Sequence, residues 1–145
     1  MIIEVQSADE MKQLGYSIGA SLISGKVFEL IGDIGAGKTT FTKGLAAGLG
    51  VDDDVQSPSF TISRTYDARN GFQLVHYDFY RLDDPGIMAN EIAELVQDAT
   101  SVTVIEWADI VDGVLPKERV VVKITAPSET TRTVEIVGAV EGLEG

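Results

Sequence analysis

The sequence predicts a single α/β domain whose mixed parallel and antiparallel sheet is flanked by helices. Helical and strand-like segments alternate in the first half of the chain, and strand-like segments close the second half. A glycine-rich turn joins a short apolar run to a helical segment, which favours a strand that enters the turn. The 145 residues, 44% of them hydrophobic, can bury one sizeable core and are too few for two.

The chain opens with a strand and a helix. Residues 1–6 read as a short strand, and Ser7 and Glu10 then have the spacing of a capping box, so a helix is expected to follow. Ser24-Gly25 supplies its stop signal. Its apolar positions recur at three- to four-residue intervals: Leu14, Ile18, Leu22 and Ile23.

A second strand and helix flank the glycine-rich turn. The run 27–31 is mostly apolar without a helical period, which predicts a strand. A helix is expected over 38–49, with one face formed by Phe41, Leu45 and Leu49. Three consecutive aspartates and Pro58 then predict a loop over 50–58.

The second half is rich in strand signals. Residues 60–67 and 72–78 flank a turn that contains Asn70-Gly71, which predicts an antiparallel pair. A helix is expected over 88–97, and strands over 102–106, 119–125 and 131–137. The domain therefore spans 1–137, and the acidic, glycine-rich tail 138–145 is expected to fray.

Charge and composition exclude several classes of protein. Eleven Lys and Arg against 23 Asp and Glu give a net charge of −12, which disfavours autonomous nucleic-acid binding. No cysteine is present and His76 is the only histidine, which excludes thiolate nucleophiles, cysteine zinc sites and multi-histidine metal sites. No leader pattern and no apolar run of membrane-spanning length appear, so we expect a cytoplasmic protein with no membrane association.

The segment 32–39, GDIGAGKT, satisfies the pattern G-x-x-x-x-G-K-[ST] of a phosphate-binding loop (P-loop). Its glycines allow consecutive N–H groups to point at phosphate oxygens, and the following helix adds its positive dipole end. Lys38 is expected on the β- and γ-phosphates, and the Thr39 hydroxyl on Mg²⁺. This predicts a P-loop NTPase-like fold with a nucleotide site formed by Gly32, Asp33, Ile34, Gly35, Ala36, Gly37, Lys38, Thr39 and Thr40.

Candidates for completing the site lie at the ends of two predicted strands. Glu106 ends the strand-like run VTVIE, where parallel-sheet P-loop folds place an acid that holds Mg²⁺; an ordinary carboxylate at a strand end is the alternative. Trp107, the only tryptophan, follows immediately, and core packing is equally possible for it. In the cluster 76–81, strand alternation places His76 and Asp78 on one face. Asp78 then either accepts a hydrogen bond from an attacking water or caps the following turn.

Arg81 and the segment 57–61 also have alternative interpretations. Arg81 pairs with Asp78 or with phosphate, or forms a surface ion pair of little energetic value. The segment 57–61 is rich in hydroxyl groups and follows the acidic loop, so it is either a γ-phosphate sensor or an ordinary Ser/Pro loop.

Four motifs stand in order along the chain: GDIGAGKTT at 32–40, SPSFTI at 57–62, HYDFYRL at 76–82 and IEWAD at 105–109. Together they closely resemble the TsaE (YjeE) family, small P-loop ATPases of bacterial tRNA threonylcarbamoyladenosine biosynthesis. The resemblance implies that Lys38 and the backbone of 35–40 hold ATP, that Thr39 and Glu106 hold Mg²⁺, and that Asp78 orients water. It also implies switch or partner-dependent roles for Ser57, Ser59, Thr61, His76, Arg81 and Trp107. Ile34 and Ser59 stand where Leu and Thr are common in the family.

The family resemblance further implies an Mg²⁺-dependent ATPase that is weak alone and works with TsaD and TsaB. In the family TsaD transfers threonylcarbamoyl to the adenosine next to the anticodon, and ATP hydrolysis would support turnover of the TsaD–TsaB complex. tRNA would be met only through the complex, as the net charge of −12 also indicates. A small-molecule kinase and a nucleotide-gated interaction module remain alternatives; a GTPase is weaker, because no N-K-x-D motif accompanies the D-x-x-G string at 83–86.

Overall fold

The computed structural model describes residues 1–33, 35–52, 55, 63–80, 84 and 86–138. Its strands are β1 (Ile2–Val5), β2 (Lys26–Ile31), β3 (Ser63–Asp67), β4 (Gln73–Asp78), β5 (Ser101–Glu106), β6 (Val120–Thr125) and β7 (Arg132–Val137). Its α-helices are α1 (Ala8–Ser21), α2 (Lys38–Gly48) and α3 (Met88–Leu95), and short 3₁₀ helices cover Arg69–Gly71 and Ala108–Val114. No helix in the described ranges is long and apolar enough to cross a membrane.

The seven strands form one sheet in the order β1-β7-β6-β2-β5-β4-β3. The four central strands β6, β2, β5 and β4 are parallel, and the outer pairs are antiparallel. This arrangement confirms the predicted mixed sheet. In the register of β2, β5 and β4, Leu30 lies opposite Glu106, and Glu106 lies opposite Asp78. The carboxyl ends of these strands therefore meet at one edge of the sheet, where ligands bind in open α/β sheets.

Helices cover both faces of the sheet. One buried cluster joins α1 and α2 to the face that carries Leu30, Leu74 and Val104. The other cluster joins α3 and the 108–114 helix to the opposite face, which carries Val75 and Tyr77. Because alternate strand residues share a face, His76 and Glu106 lie on the α1/α2 side with the P-loop helix. Asp78 lies on the same side as His76, as the strand alternation predicted.

Helices α1 and α2 approach each other unusually closely through four glycines, Gly15, Gly19, Gly44 and Gly48. A Cβ atom added at Gly44 would overlap the Lys12 carbonyl, and one at Gly15 would lie 2.8 Å from the backbone nitrogen of Leu45. The spacing G-x-x-x-G occurs in both helices and allows their backbones to touch. Through this contact α2, which begins at the P-loop, packs against α1.

The start of α1 agrees with the predicted capping box, and its end does not agree with the predicted apolar face. The Glu10 backbone N–H donates to Ser7 Oγ at 3.1 Å, and Gln6 N–H donates to Glu10 Oε1 at 3.2 Å. The helix stops at Ser21, so Ile23 falls outside it and is 78% exposed. Including Ile23 among the apolar positions of the helix was therefore wrong, because the backbone becomes extended at Leu22.

The predicted β3–β4 hairpin is present, and its turn also caps both long helices. Asn70 (φ 56°) and Gly71 (φ 79°) take the left-handed conformations that an Asn-Gly turn favours. The neighbouring Arg69 guanidinium donates to the carbonyls of Gly48, at the end of α2, and of Gly19, Ala20 and Leu22, at the end of α1. One arginine thus satisfies carbonyls that two helix ends leave without intrahelical partners.

The remaining boundaries shift by one to three residues, and one element was not predicted. The 108–114 helix has no counterpart in the sequence analysis, and the α3 helix ends at Leu95 rather than 97. Residues 60–62 of the predicted first hairpin strand lie outside the described residues. So does most of the predicted loop 50–58 and, except for Gly138, the predicted tail.

Candidate active site at the phosphate-binding loop

The P-loop connects the end of β2 to the start of α2, where the sequence placed it. Gly35 (φ 85°) and Gly37 (φ 113°) adopt conformations that favour glycine, and Gly37 is the N-terminal cap of α2. A Cβ atom at Gly32 would lie 2.8 Å from the carbonyl oxygen of Ile124, so β6 packs directly on the loop. The first turn of α2 carries no acidic residue that would repel an anion from its positive dipole end.

Lys38 is buried, 7% exposed, and its ammonium lies among three groups. Nζ donates to the Gly32 carbonyl at 2.6 Å, lies 3.6 Å from Glu106 Oε1, and sits 4.6 Å from the centre of the Trp107 ring. A lysine so held is aimed along the loop rather than into bulk solvent. It provides a fixed positive charge at the carboxyl edge of the sheet, where a phosphate group would need one.

Glu106 ends β5 and is 4% exposed. Its Oε2 lies 2.6 Å from His76 Nε2, and its Oε1 faces Lys38. His76 is fully buried, and its Nδ1 has no hydrogen-bond partner in the described part of the chain. The carboxylate is therefore held from two sides, by a cation and by an imidazole.

Asp78 ends β4 directly opposite Glu106 and is half-buried. Its Oδ1 accepts a hydrogen bond of 3.0 Å from the Tyr80 backbone N–H, which is the turn-capping role that the sequence left open. The Phe79 N–H donates to the Glu106 carbonyl at 3.1 Å, so the backbone fixes both strand ends together. The aspartate thus caps a turn and lies at the edge of the candidate site at the same time.

Trp107 is not a core residue, although core packing was one of its two sequence readings. It adopts a left-handed backbone conformation (φ 57°), which is uncommon for a bulky residue, and its side chain is 38% exposed. The ring packs on Tyr80 with centroids 4.9 Å apart and covers Lys38. Trp107 follows β5 and is the N-terminal cap of the 108–114 helix, and its ring lies over the P-loop lysine.

The few oxygen ligands at the carboxyl edge of the sheet suit Mg²⁺ better than a metal whose ligands all come from protein side chains. The described residues contain no cluster of three or more His, Cys, Asp or Glu side chains suited to a metal. Thr39 stands in the first turn of α2 and Glu106 at the end of β5, so the site offers one hydroxyl and one carboxylate. Mg²⁺ commonly takes one or two protein oxygens and keeps water and phosphate oxygens for the rest.

Arg132, on β7, supports the loop from the other side and was missing from the predicted site. Its Nε donates to the Ala36 carbonyl at 3.0 Å, and its Nη1 donates to the carbonyls of Ser128 and Thr131. The guanidinium thus joins the β6–β7 connection to the P-loop. A basic residue in a strand pattern carries no local signal of such a contact, because its partner lies 96 residues away in the sequence.

Clefts open on either side of the loop. One, of about 630 Å³, runs between the P-loop, Trp107 and the end of β6. Another, of about 410 Å³, lies between the P-loop, the start of α1, Thr40 and Arg132. Asp33 and Gly35 are exposed, Gly32, Thr39 and Thr40 are partly exposed, and Ala36 is buried. The predicted site residues Ile34, Ser57, Ser59, Thr61 and Arg81 lie outside the described residues.

Comparison with known proteins agrees with these features. The family profile described as "Threonylcarbamoyl adenosine biosynthesis protein TsaE" matches residues 5–134, which include the P-loop, Asp78 and Glu106. The chain belongs to the TsaE family. The predicted family resemblance is thereby confirmed, and this family member has a role in tRNA threonylcarbamoyladenosine biosynthesis.

Relatives of this TsaE family member match over most of their length. The tRNA threonylcarbamoyladenosine biosynthesis protein TsaE of Bacillus subtilis is 38% identical over 136 residues, which cover 90% of this chain and 82% of that protein. The protein of the same name from Treponema pallidum is 34% identical over 131 residues, 90% of this chain and 96% of that one. The crystal structure of Bacillus subtilis YdiB superposes with a TM-score of 0.74 at 32% identity, covering 92% of this chain and 82% of YdiB.

Proposed function

We propose that this TsaE-family chain binds ATP with Mg²⁺ at the P-loop and hydrolyses it in support of tRNA threonylcarbamoyl transfer. One observation carries the proposal: a glycine-rich loop at a helix N-terminus holds Lys38 within 3.6 Å of the buried carboxylate of Glu106. Cation, loop amides and acid meet at one sheet edge, which is the arrangement that phosphoryl chemistry uses. The family assignment supports the pathway.

In this proposal each group has a separate task. The backbone of 35–40 and Lys38 bind the phosphates, and Thr39 and Glu106 hold the cation. When bound, Mg²⁺ neutralises charge that develops on the β- and γ-phosphate oxygens. Asp78, on the same edge, accepts a hydrogen bond from the attacking water through the oxygen that does not cap the Tyr80 turn.

The proposed partners are a TsaD–TsaB pair, with tRNA met only through that complex. A chain of net charge −12 repels a polyphosphate backbone, so it suits a basic surface on a partner protein better than tRNA itself. We propose that the chain hydrolyses ATP only weakly alone and that the TsaD–TsaB pair activates this hydrolysis. The compartment that we propose for the reaction is the cytoplasm.

The test is steady-state ATP hydrolysis by the chain alone, with a TsaD–TsaB pair from the same source, and with that pair plus tRNA. We expect the pair to stimulate phosphate release without producing any phosphorylated small molecule. Lys38→Ala should abolish ATP binding, whereas Lys43→Ala, on the same helix away from the loop, should not. Transfer of the γ-phosphate to a metabolite would instead support the kinase alternative.

A second candidate, a nucleotide-gated interaction module without significant hydrolysis, is favoured by the turn-capping role of Asp78. Asp84 provides a matched control, because its Oδ1 also accepts from a backbone N–H two residues on, that of Gly86, at 2.8 Å. Under the ATPase proposal Asp78→Ala keeps Mg-ATP affinity and loses hydrolysis, whereas Asp84→Ala keeps both. Equal hydrolysis by the two variants would remove Asp78 from the reaction. Tight Mg-ATP binding by the unaltered chain without significant hydrolysis, alone or with the TsaD–TsaB pair, would favour the gated module.

A further inference from the structure

Glu106 has two carboxylate oxygens in different surroundings. Oε2 lies 2.6 Å from His76 Nε2, a short hydrogen-bond distance, whereas Oε1 lies 3.6 Å from the Lys38 ammonium. A carboxylate that binds a cation only accepts hydrogen bonds, so in that role of Glu106 the donor in this contact is His76 Nε2. One oxygen is therefore tied to the sheet interior, and the other faces the P-loop.

The two residues that form this contact are fixed by neighbouring parallel strands. His76 pairs with Val104 and Asp78 pairs with Glu106, so the histidine is the diagonal neighbour of Glu106 on the same face. Both strands are central in the sheet, and both side chains are at least 95% buried. A contact made between rigid strands holds a side chain more tightly than one made from a loop.

His76 itself reaches neither solvent nor the clefts beside the P-loop. Its side chain is 0% exposed, and it lines neither of the clefts described above. Direct contact with a nucleotide or a partner protein is therefore disfavoured, although the family resemblance grouped His76 with switch or partner-dependent residues. Among the described residues the hydrogen-bond partner of the His76 side chain is Glu106, which makes the carboxylate the route by which His76 can affect the chemistry.

We propose that His76 is a positioning residue for the divalent cation. By holding Oε2, it fixes the carboxylate so that Oε1 is presented to the space between Lys38 and the P-loop, where the metal or its water shell binds. A partner behind a metal ligand orients that ligand and strengthens metal binding. The inference rests on the proposed function of Glu106 as a cation ligand.

The experiment measures ATP affinity by calorimetry in excess Mg²⁺ and in EDTA, for the full chain and its variants. The ratio of the two dissociation constants reports how strongly the metal contributes. His76→Leu removes the donor, and we expect that ratio to fall by about 10- to 100-fold. His76→Gln keeps an N–H at a similar reach and should retain most of the ratio. Metal-free ATP affinity should be unchanged in both variants.

A merely structural histidine would give a different pattern. It would lower the thermal midpoint and weaken ATP binding equally with and without Mg²⁺, and that result would overturn the proposal. An unchanged ratio in His76→Leu would overturn it too. If His76→Leu does not fold, His76→Asn replaces it, because its shorter side chain cannot reach Oε2; equal ratios for His76→Asn and His76→Gln would then refute the inference.

Glu106→Gln separates this inference from the function on which it rests. If His76 acts through the carboxylate, adding His76→Leu to Glu106→Gln lowers the ratio no further. A further drop in the double variant would show a role independent of Glu106 and contradict the proposal. A wild-type chain that binds no ATP, or binds it without any Mg²⁺ effect, would instead refute the proposed function itself.

Discussion

Gly44→Ala is expected to push α1 and α2 apart. The added Cβ would overlap the carbonyl oxygen of Lys12 and lie 2.9 and 3.0 Å from the carbonyl carbon and Cα of that residue. Backbone atoms cannot rotate away as a side chain can, so the helices must separate until this overlap is relieved. Separation also loosens the reciprocal contact at Gly15, whose own neighbours are backbone atoms of α2.

The size of the effect follows from two opposing contributions. Overpacking a rigid interior costs about 1–3 kcal/mol, and backbone clashes favour the upper end of that range. Alanine is about 1 kcal/mol better than glycine inside a helix, which offsets part of the loss. We therefore expect the free energy of unfolding to fall by about 2 kcal/mol. For a chain of 145 residues this lowers the thermal midpoint by about 6 °C.

The assay is urea and thermal unfolding followed by circular dichroism. Gly113→Ala is the matched control, because a Cβ there meets nothing within 4 Å and its φ is not positive. That variant should be neutral or up to about 1 kcal/mol more stable. If Gly44→Ala is as stable as Gly113→Ala, the proposed close contact between the helices does not limit stability and the reasoning fails.

Three further predictions concern single side chains. Arg69→Met should lower the free energy of unfolding by about 2 kcal/mol, because it leaves carbonyls at two helix ends without their donor. Arg64 is exposed, so Arg64→Met should change the free energy of unfolding by less than about 0.5 kcal/mol in the same assay. Fluorescence of the only tryptophan, Trp107, should change on Mg-ATP binding, since its ring covers Lys38; an unchanged emission during a calorimetrically verified titration would contradict this. Burial, reinforced by the Glu91 carboxylate, raises the pKa of Tyr77 from 10.0 to about 12. The neutral phenol therefore contributes stability that is complete below pH 10 and is lost as the pH rises through 12. Between pH 10 and 12, the free energy of unfolding of Tyr77→Phe should fall less than that of the wild type. Parallel pH profiles of the two proteins would refute this prediction.

Local chemistry made much of the fold predictable. Ser7 and Glu10 are three residues apart and cap the helix that they predicted, and Asn70-Gly71 forms the turn that its conformational preference requires. The P-loop motif carries its own strand and helix on either side, so the placement of Lys38 followed from sequence. In each case the residues that interact are close in the chain.

The features that escaped prediction depend on residues far apart in sequence. Ile23 continued an apolar periodicity, but nothing in that periodicity shows where the helix stops. The glycines of α1 and α2 have meaning only once the two helices are known to touch, and Arg132 only once β7 is known to lie near the P-loop. The contact of His76 with Glu106 needs the register of β4 and β5. The contacts of Arg132 and His76 depend on strand order, which the hydrophobic periodicity of a sequence does not reveal.

The Arg132 contact bears on the order in which the protein is made. The P-loop strand β2 lies between β5 and β6, and the Ala36 carbonyl is held by an arginine 96 residues downstream. Every one of these supports is synthesised after the loop itself. A chain emerging from the ribosome therefore contains the complete P-loop sequence long before it contains a P-loop of this shape. A chain that ends before Arg132 lacks this support for the Ala36 carbonyl, so the loop gains its observed contacts only after β7 has been synthesised.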